Sequence, residues 1–432
     1  MDQSEGGEPL LSDPVIVNGT VTPVTLTAAG ELRWSEGGSH RCLAVEKEVL
    51  GFSIEGSRIK IRAVVKGGDE ICCVGRRGAL MRKSFIFEPS SEVSLRLWCQ
   101  KLQEFIDSLG RPKKLFILMN PFGGKKSASK IFLDDVKPLF EDANVEFTVQ
   151  GTGNGMVKSI LDSVGDPCTA SNATLAIIRG HRRSLDVATI LQGETRFFSV
   201  LMLAWGLVAD IDIESEKYRW MGSARLDVYA LQRIFHLRKY DGRISFVPAP
   251  GFEAYGEPSC QKGESRGEVS ICNPSQGENI DVQKCGYCGP NVDVESLSWR
   301  KLDGPFVSIW LHNVPWGAED TLAAPDAKFS DGYLDLVMIR NCSKLSLLTL
   351  MTDLNNGGHV KSPHVLYLKV KAFVLEPGPR TGDPTKEGII DADGEVLARG
   401  KGTFKCDQKT LMAYDKLQIT VDQGLATLFT PI

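Results

Sequence analysis

The sequence predicts a multidomain α+β protein, and three observations predict it. Strand-like apolar runs closed by one amphipathic helix fill residues 40–112, two strand and glycine-turn junctions crowd into 113–173, and a succession of strands runs from 174 to 432. A chain of 432 residues, 42% hydrophobic and 24% charged, is long enough for two or three cores of ordinary globular composition. Its formal net charge of −4 gives polyanions no global attraction, so nucleic acid is not an expected partner. The longest apolar run, Phe197 to Ala209, falls short of the ~20 residues of a membrane-crossing helix, so membrane contact is expected to be peripheral. Eleven cysteines without a regular framework, and no N-terminal signal peptide, predict a cytoplasmic chain with reduced thiols.

Residues 1–39 mix acidic, Gly, Ser and Thr positions without a sustained period, the composition of a disordered, solvated tail. In 40–112 the strand-like runs are Leu43 to Val45, Leu50 to Ile54, Ile59 to Val65, Ile71 to Val74 and Phe85 to Phe87. Leu95, Trp98, Leu102, Phe105, Ile106 and Leu109 then recur at helical spacing, with Ser90 or Ser91 as N-cap and Gly110 and Pro112 as the stop. An antiparallel sheet closed by one Trp-bearing helix resembles a pleckstrin-homology (PH) domain, which would hold the protein near a membrane or partner. A small sandwich that only packs on the neighbouring domain fits the pattern equally well.

Residues 113–173 read as a short α/β domain. Leu115 to Met119 is a buried strand that runs into Asn120-Pro121-Phe122-Gly123-Gly124-Lys125-Lys126 and a helix, and Val145 to Val149 is a second strand ahead of Gly151-Thr152-Gly153-Asn154-Gly155. From 174 onward the expected strands are Thr174 to Arg179, Leu185 to Ile190, Phe197 to Ala204, Arg243 to Val247, Phe306 to Leu311, Leu334 to Ile339 and Leu366 to Leu375. Helices near Ala224 to Leu237 and Leu345 to Leu354 interrupt them, and the polar, Gly- and Ser-rich stretch 251–299 reads as a mobile loop.

Several residue groups offer chemistry. Both glycine turns suit an anion, since glycine lets backbone amides approach it, although a tight turn with surface lysines fits as well and neither matches the Walker pattern. Asp210 and Asp212 alternate at the end of an apolar strand and would share one face, where carboxylates suit a cationic amine or are simply solvated. Arg219 and Arg225 are candidates for phosphate oxygens, and their six-residue spacing converges only if a helix starts between them; surface salt bridges are the alternative. The turn Asp391-Ala392-Asp393-Gly394-Glu395 suits a metal-bound nucleotide or a ribose hydroxyl, and equally a plain hairpin. Cys260, Cys272, Cys285 and Cys288 supply thiolates but lack paired zinc-knuckle spacing, so no metal site is assigned. The six histidines show no metal-ligand spacing and no serine nucleophile elbow is visible, so zinc and serine hydrolases drop out.

Taken together and in order, NPFGGKK, GTGNG, FFSVLMLAWGLVADIDIESEKYRWMGSAR, KFSDGYLDLVMI and DADGE resemble the sphingosine kinase family, within the superfamily of diacylglycerol kinase catalytic domains. The likeness runs from about Lys113 to Ile432, and the N-terminal extension looks closest to plant members. The resemblance implies an α/β nucleotide-binding domain, a C-terminal β-sandwich that binds the lipid, and ATP with Mg²⁺ in the cleft between them. The implied reaction is phosphorylation of the primary hydroxyl of a sphingoid base. By matching motif, Asn120, Pro121, Phe122, Gly151, Thr152, Gly153, Arg219, Arg225, Asp393, Gly394 and Glu395 would contact the nucleotide, and Asp212 the polar head of the lipid.

One departure matters. The family's SGDG-type motif, whose Asp is the expected base for the lipid hydroxyl, is absent: Val145 to Gln150 runs directly into Gly151, whereas a βαβ unit takes roughly 30 residues or more. The expectation is a truncated α/β domain, no catalytic residue, and a chain that arises by alternative splicing or from a gene model joined at Gln150/Gly151. Transcript reads across that junction test it, and their absence sinks it. An active sphingoid-base kinase, an inactive lipid-binding or regulatory isoform, and a ceramide or diacylglycerol kinase are the competing functions.

Overall fold

The computed structural model describes residues 8–66, 80–117, 127–149, 155–222, 224–258, 297–318, 320–403 and 410–431. They fall into two compact units, residues 1–183 with 428–432, and residues 184–427.

The first unit opens with β1 (Pro9–Val17), β2 (Thr20–Thr27), β3 (Glu31–Glu36), β4 (Ser39–Ala44), β5 (Val49–Glu55), β6 (Arg58–Lys66) and β7 (Leu80–Pro89). They make one antiparallel sheet in the order β4-β3-β2-β1-β7-β6-β5. The expected tail over 1–39 is therefore corrected: from Pro9 onward it is sheet, and the module begins there rather than at residue 40. The physical reason is a turn signal that outweighs a polar composition. Asn18 and Gly19 both take positive φ, +50° and +82°, which is the backbone of a tight two-residue hairpin, and alternate residues Val15, Val17, Val24 and Leu26 go inward. Helix α1 (Glu92–Ser108) is capped by Ser91, whose Oγ accepts from the Ser94 amide at 3.1 Å, and it buries Trp98 and Leu102 in the core of this sheet.

The short α/β region follows. β8 (Lys114–Ile117) and β9 (Glu146–Val149) pair in parallel, and between them lie α2 (Ala128–Ile131), a π turn (Phe132–Val136) and α3 (Lys137–Asp142). Among the described residues no third strand joins this pair. Two helices follow, α4 (Gly155–Asp162) and α5 (Ala170–Arg179). The strand expected over Thr174 to Arg179 is corrected to the second half of α5, with Thr169 as N-cap and Gly180 as a left-handed C-cap. A short buried apolar run has no period that separates strand from helix, and here the caps decide. Leu175 and Ile178 of α5 pack with Leu139, Phe140 and Val145, and this small core is completed by Leu50 and Val64 of β5 and β6. Arg111 sews the same seam. Its Nη1 donates to the carbonyls of Val49 (2.8 Å) and Leu50 (3.0 Å), and its Nη2 to those of Val45 (2.8 Å) and Glu46 (3.1 Å). Burial, followed by the nearby charge of Arg179, draws this guanidinium down to about 10.

The second unit is strand-rich. In chain order come β10 (Arg182–Gln192), β11 (Thr195–Ser199), β12 (Met202–Gly206), α6 (Leu207–Glu214), a 3₁₀ segment (Ser215–Met221), α7 (Ala224–Phe235) and β13 (Tyr240–Pro248). After them come β14 (Glu257–Pro258), β15 (Arg300–Asp303), β16 (Ser308–His312), β17 (Trp316–Ala318), β18 (Thr321–Leu322), β19 (Leu334–Ile339), α8 (Lys344–Asp353), β20 (Val365–Arg380), β21 (Ile389–Ala392), β22 (Glu395–Arg399) and β23 (Leu417–Phe429). The main path of the large sheet is β11-β10-β23-β20-β19-β16-β12-β21-β22. The strand expected over Phe197 to Ala204 is two strands, β11 and β12, split by a turn at Val200-Leu201, and this unit begins at 184 rather than 174. Of the expected loop over 251–299, residues 259–296 lie outside the described residues, and Cys260, Cys272, Cys285 and Cys288 with them.

Register assigns the two faces of the central strands. Leu203 and Trp205 of β12 share one face with Ile309, Leu311, Leu336, Met338 and Ile390, a closed apolar core. On the other face Ala204 stands opposite Trp310 in β16 and Asp391 in β21.

The Arg111 contact carries a stability prediction. Arg111→Met leaves four carbonyls without a charged donor, and hydrogen bonds to charged groups contribute about 1.5–3 kcal/mol each at most sites. The expected result is a lower urea midpoint of the whole chain and faster amide exchange over Val45 to Leu50; an unchanged midpoint would show that solvent replaces the guanidinium.

Candidate lipid-head site

The site is built on one turn. Gly206 takes φ +91°, and a Cβ there would sit 2.5 Å from the carbonyl oxygen of Val307, so only glycine lets β12 turn at once into α6. The Leu207 amide donates to that carbonyl at 2.8 Å. This corrects the reading of Asp210 and Asp212 as alternating strand residues. They lie on a helix, where two residues span about 200°, so they point to opposite sides.

Asp210 points inward and is structural. Its Oδ2 accepts from Tyr240 Oη (2.6 Å) and Arg238 Nη1 (3.2 Å), and Arg233 lies 3.9 Å away. One helical turn on, Glu214 accepts from Arg238 at 2.8 Å and from the Tyr229 hydroxyl. Burial raises the Asp210 carboxyl against the pull of Arg238. Burial would raise Glu214 too, but Arg238 and Tyr229 hold it below the usual range. This network ties α6 to α7 and β13, and it has no sequence signature because its members are scattered between 210 and 240.

Asp212 points the other way and is half-buried. Its carboxyl meets that of Asp391, which is fully buried and has no hydrogen-bond partner on either oxygen. Burial raises both groups, and for Asp391 the neighbouring Asp212 and Asp393 raise it further, so the two carboxyls compete for one proton. Arg225 acts on Asp212 as the nearest cation, but its Nη1 is engaged by Glu216 (2.6 Å) and Ser215 Oγ (2.8 Å).

The acidic turn is a hairpin. Asp393 and Gly394 both take positive φ, +54° and +86°, between β21 and β22. Asp393 spends its carboxylate inside the fold: Oδ1 accepts from Ser199 Oγ (2.7 Å) and the amides of Leu201 (3.0 Å) and Met202 (2.9 Å), and Oδ2 from the Val200 amide (2.9 Å). It holds the turn between β11 and β12, while Gly394 and Glu395 stand exposed at the tip. Arg219 lies on the 3₁₀ segment with its side chain outside the described residues, and α7 begins between it and Arg225. Asn120, Pro121, Phe122, Gly151, Thr152 and Gly153 lie outside the described residues. The structure thus gathers Asp212, Arg225, Asp393, Gly394 and Glu395 around α6 and the β21–β22 hairpin. Sequence reasoning passed over Asp391 as a site residue, although the period of two in β21 turns it away from Ala392.

Comparison with known proteins agrees with this architecture. The family described as the YegS C-terminal NAD kinase beta sandwich-like domain matches residues 302–413. Sphingosine kinase 1 of Arabidopsis thaliana is 54% identical over 480 residues, covering 98% of this chain and 96% of that protein. The chain belongs to the sphingosine kinase family. Sphingosine kinase 2 of the same plant is 52% identical over 481 residues, 98% of this chain and 97% of that one. Human ceramide kinase is more distant, 25% identical over 379 residues, 71% of this chain and 68% of its own. An alignment 480 positions long that covers 98% of a 432-residue chain leaves several dozen positions of this plant sphingosine kinase without a counterpart here.

The α6 network predicts a pH signature. Arg238→Met strands Asp210 and Glu214 in the interior, and removing one partner of a buried pair costs about 3–5 kcal/mol. Both carboxyls then titrate above their unfolded values, so the variant's stability is greatest at low pH and is lost as pH rises through the folded values. Denaturation at about pH 5 and about pH 7.5, roughly one and three units above the ordinary carboxyl values, should give the larger deficit at the higher pH; equal deficits would remove the carboxyls from the explanation.

Proposed function

We propose that the protein recognises a sphingoid base through residues 184–427 and that its ATP-dependent phosphorylation of the primary hydroxyl is impaired in this chain. The observation that carries the reading is Asp212, a half-buried carboxyl set by α6 against a second, fully buried one. An ammonium relieves that unbalanced acidity, and a ceramide or diacylglycerol head brings no cation to do so. MgATP is the donor the family implies. Gly394 and Glu395 at the exposed tip and Arg225 on the first turn of α7 suit its hydroxyls and phosphates, with Mg²⁺ carried on phosphate oxygens rather than in a protein cage.

Phosphoryl transfer asks mainly for positioning and charge stabilisation, yet the lipid hydroxyl still has a proton to lose. The SGDG aspartate is absent, Asp393 has both oxygens filled, and the loss of a positioned base costs about 10²–10⁴ in rate. The α/β region supports impairment, since among the described residues β8 and β9 pair only with each other and Phe116 and Leu133 are 64% and 57% exposed. A splice product or gene model joined at Gln150/Gly151 accounts for these features and for the several dozen positions without a counterpart. An inactive lipid-binding or regulatory isoform is the second reading, favoured by the intact α6 site beside the shortened α/β region.

We assign the N-terminal sheet and α1 as a PH-like module and the protein as cytoplasmic, peripheral at membranes. Seven strands closed by one C-terminal helix support the first assignment. For the second, Val228, Leu231 and Phe235 recur along α7 at exposed positions, near Trp220 in sequence, itself 82% exposed. Among the described residues no helix is long and apolar enough to cross a membrane.

Two measurements test these readings. Purified protein should bind sphingosine and phosphorylate it far more slowly than a version with the SGDG segment restored from a relative. Asp212→Asn should weaken sphingosine binding by about tenfold or more, the scale of a lost charge-assisted hydrogen bond. Rapid turnover by the unrestored chain would overturn the impairment. Leu231→Glu should reduce co-sedimentation with phosphatidylcholine vesicles, and unchanged sedimentation would remove α7 from the membrane surface.

A further inference from the structure

The buried carboxyl of Asp391 stands out because the fold gives it nothing to do. More than 90% of buried polar groups are paired in folded proteins, and those that are not call for a specific explanation. Asp391 is 0% exposed, and beyond the proton it shares with Asp212 no side chain of the fold meets its oxygens in hydrogen-bond geometry, so its burial costs free energy that the fold has to offset elsewhere. It does not stabilise its own hairpin, because Asp393 does that through four hydrogen bonds. Nor does it pair with a cation: the groups acting on it are Asp212, Asp393 and the backbone of Gly394, and the nearby Arg225 is held by Glu216 and Ser215.

A second observation lies on the same face. Register sets Asp391, Ala204 and Trp310 in one row across β21, β12 and β16, and the Trp310 indole N–H is also buried and unpartnered. Between these two polar groups the row carries only the methyl of Ala204, and Ala209 and Ile213 of α6 cover the same face, so the buried Asp391 is reached from its contact with the half-buried Asp212. On the opposite face the side chains of the same strands close into an apolar core.

We propose that Asp391 is a second carboxylate for the amine of the bound lipid, so that Asp212 and Asp391 together grip one ammonium group. This rests on the sphingoid-base reading above and adds to it a residue that sets specificity. A single exposed carboxylate distinguishes an amine from a hydroxyl weakly, because a hydroxyl also donates to it. An ammonium group takes the place of the proton that the two carboxyls share, whereas a neutral head group brings no charge to replace it and leaves the pair as it was, so the pair favours a cation over a hydroxyl. In the unliganded protein the pair is a site of stored instability, which ligand binding relieves.

Three proteins test this: the unaltered chain, Asp212→Asn and Asp391→Asn. Each is assayed for binding of sphingosine and of N-acetylsphingosine, which lacks the cation, and for melting temperature without lipid. Asp391→Asn is expected to weaken sphingosine binding by about tenfold or more while N-acetylsphingosine is unaffected, and to raise the melting temperature. Unchanged sphingosine affinity in Asp391→Asn, with Asp212→Asn impaired, would overturn the second carboxylate alone. A lower melting temperature with both lipids lost equally would make Asp391 a structural residue and overturn it too. If the unaltered chain does not bind sphingosine, the sphingoid-base reading fails first.

Discussion

Everything at the candidate site depends on the placement of α6, and that placement is an electrostatic one. Gly206 lets the chain turn from β12 into the helix, but a turn alone leaves a two-turn helix free to rotate about its axis. The rotation is fixed by Asp210 and Glu214, one turn apart, which reach the same arginine, Arg238, and two tyrosine hydroxyls, Tyr240 and Tyr229. With that side of the helix committed inward, Asp212 has one direction left, toward β21. An eight-residue helix with so few bonds of its own is ordered by tertiary contacts rather than by propensity.

The sequence made the large strands legible where period and length agreed, as in β19, whose expected limits Leu334 to Ile339 are those observed. It misled where local composition and tertiary pairing pulled apart. The run Leu203 to Asp212 looks like one strand because apolar residues alternate with acids, yet the chain changes from strand to helix inside it at a glycine whose necessity is visible only once Val307 stands beside it. The polar N-terminus concealed three strands although Asn18-Gly19 is among the strongest short-range hairpin signals. Of the site, Asp212 and Arg225 were legible through family motifs, whereas the contact between Asp212 and Asp391 joins residues far apart in sequence and follows from the β12–β21 register together with the rotation of α6.

The DADGE motif likewise divides its labour in a way that composition does not reveal. Its first aspartate faces α6 and has no partner, its second is consumed in holding the turn between β11 and β12, and its glycine and glutamate remain at the tip. Three acids in five residues thus have three different environments, set by strand alternation and by the two positive φ angles of the turn. Charge counts would treat them as one patch.

The seam around Arg111 has a consequence of its own for how the chain behaves in solution. One side of the β8–β9 pair is sealed by Leu50 and Val64 of the N-terminal sheet, which closes this small core on that side. The other side keeps Phe116 turned out, and among the described residues no further strand lies beside the pair, so its edges are open for pairing with another chain. Colloidal behaviour, meaning solubility at high concentration and the lag before association, is therefore the property in which this protein should differ first from a relative with a wider sheet, ahead of any difference in the shape of the candidate site.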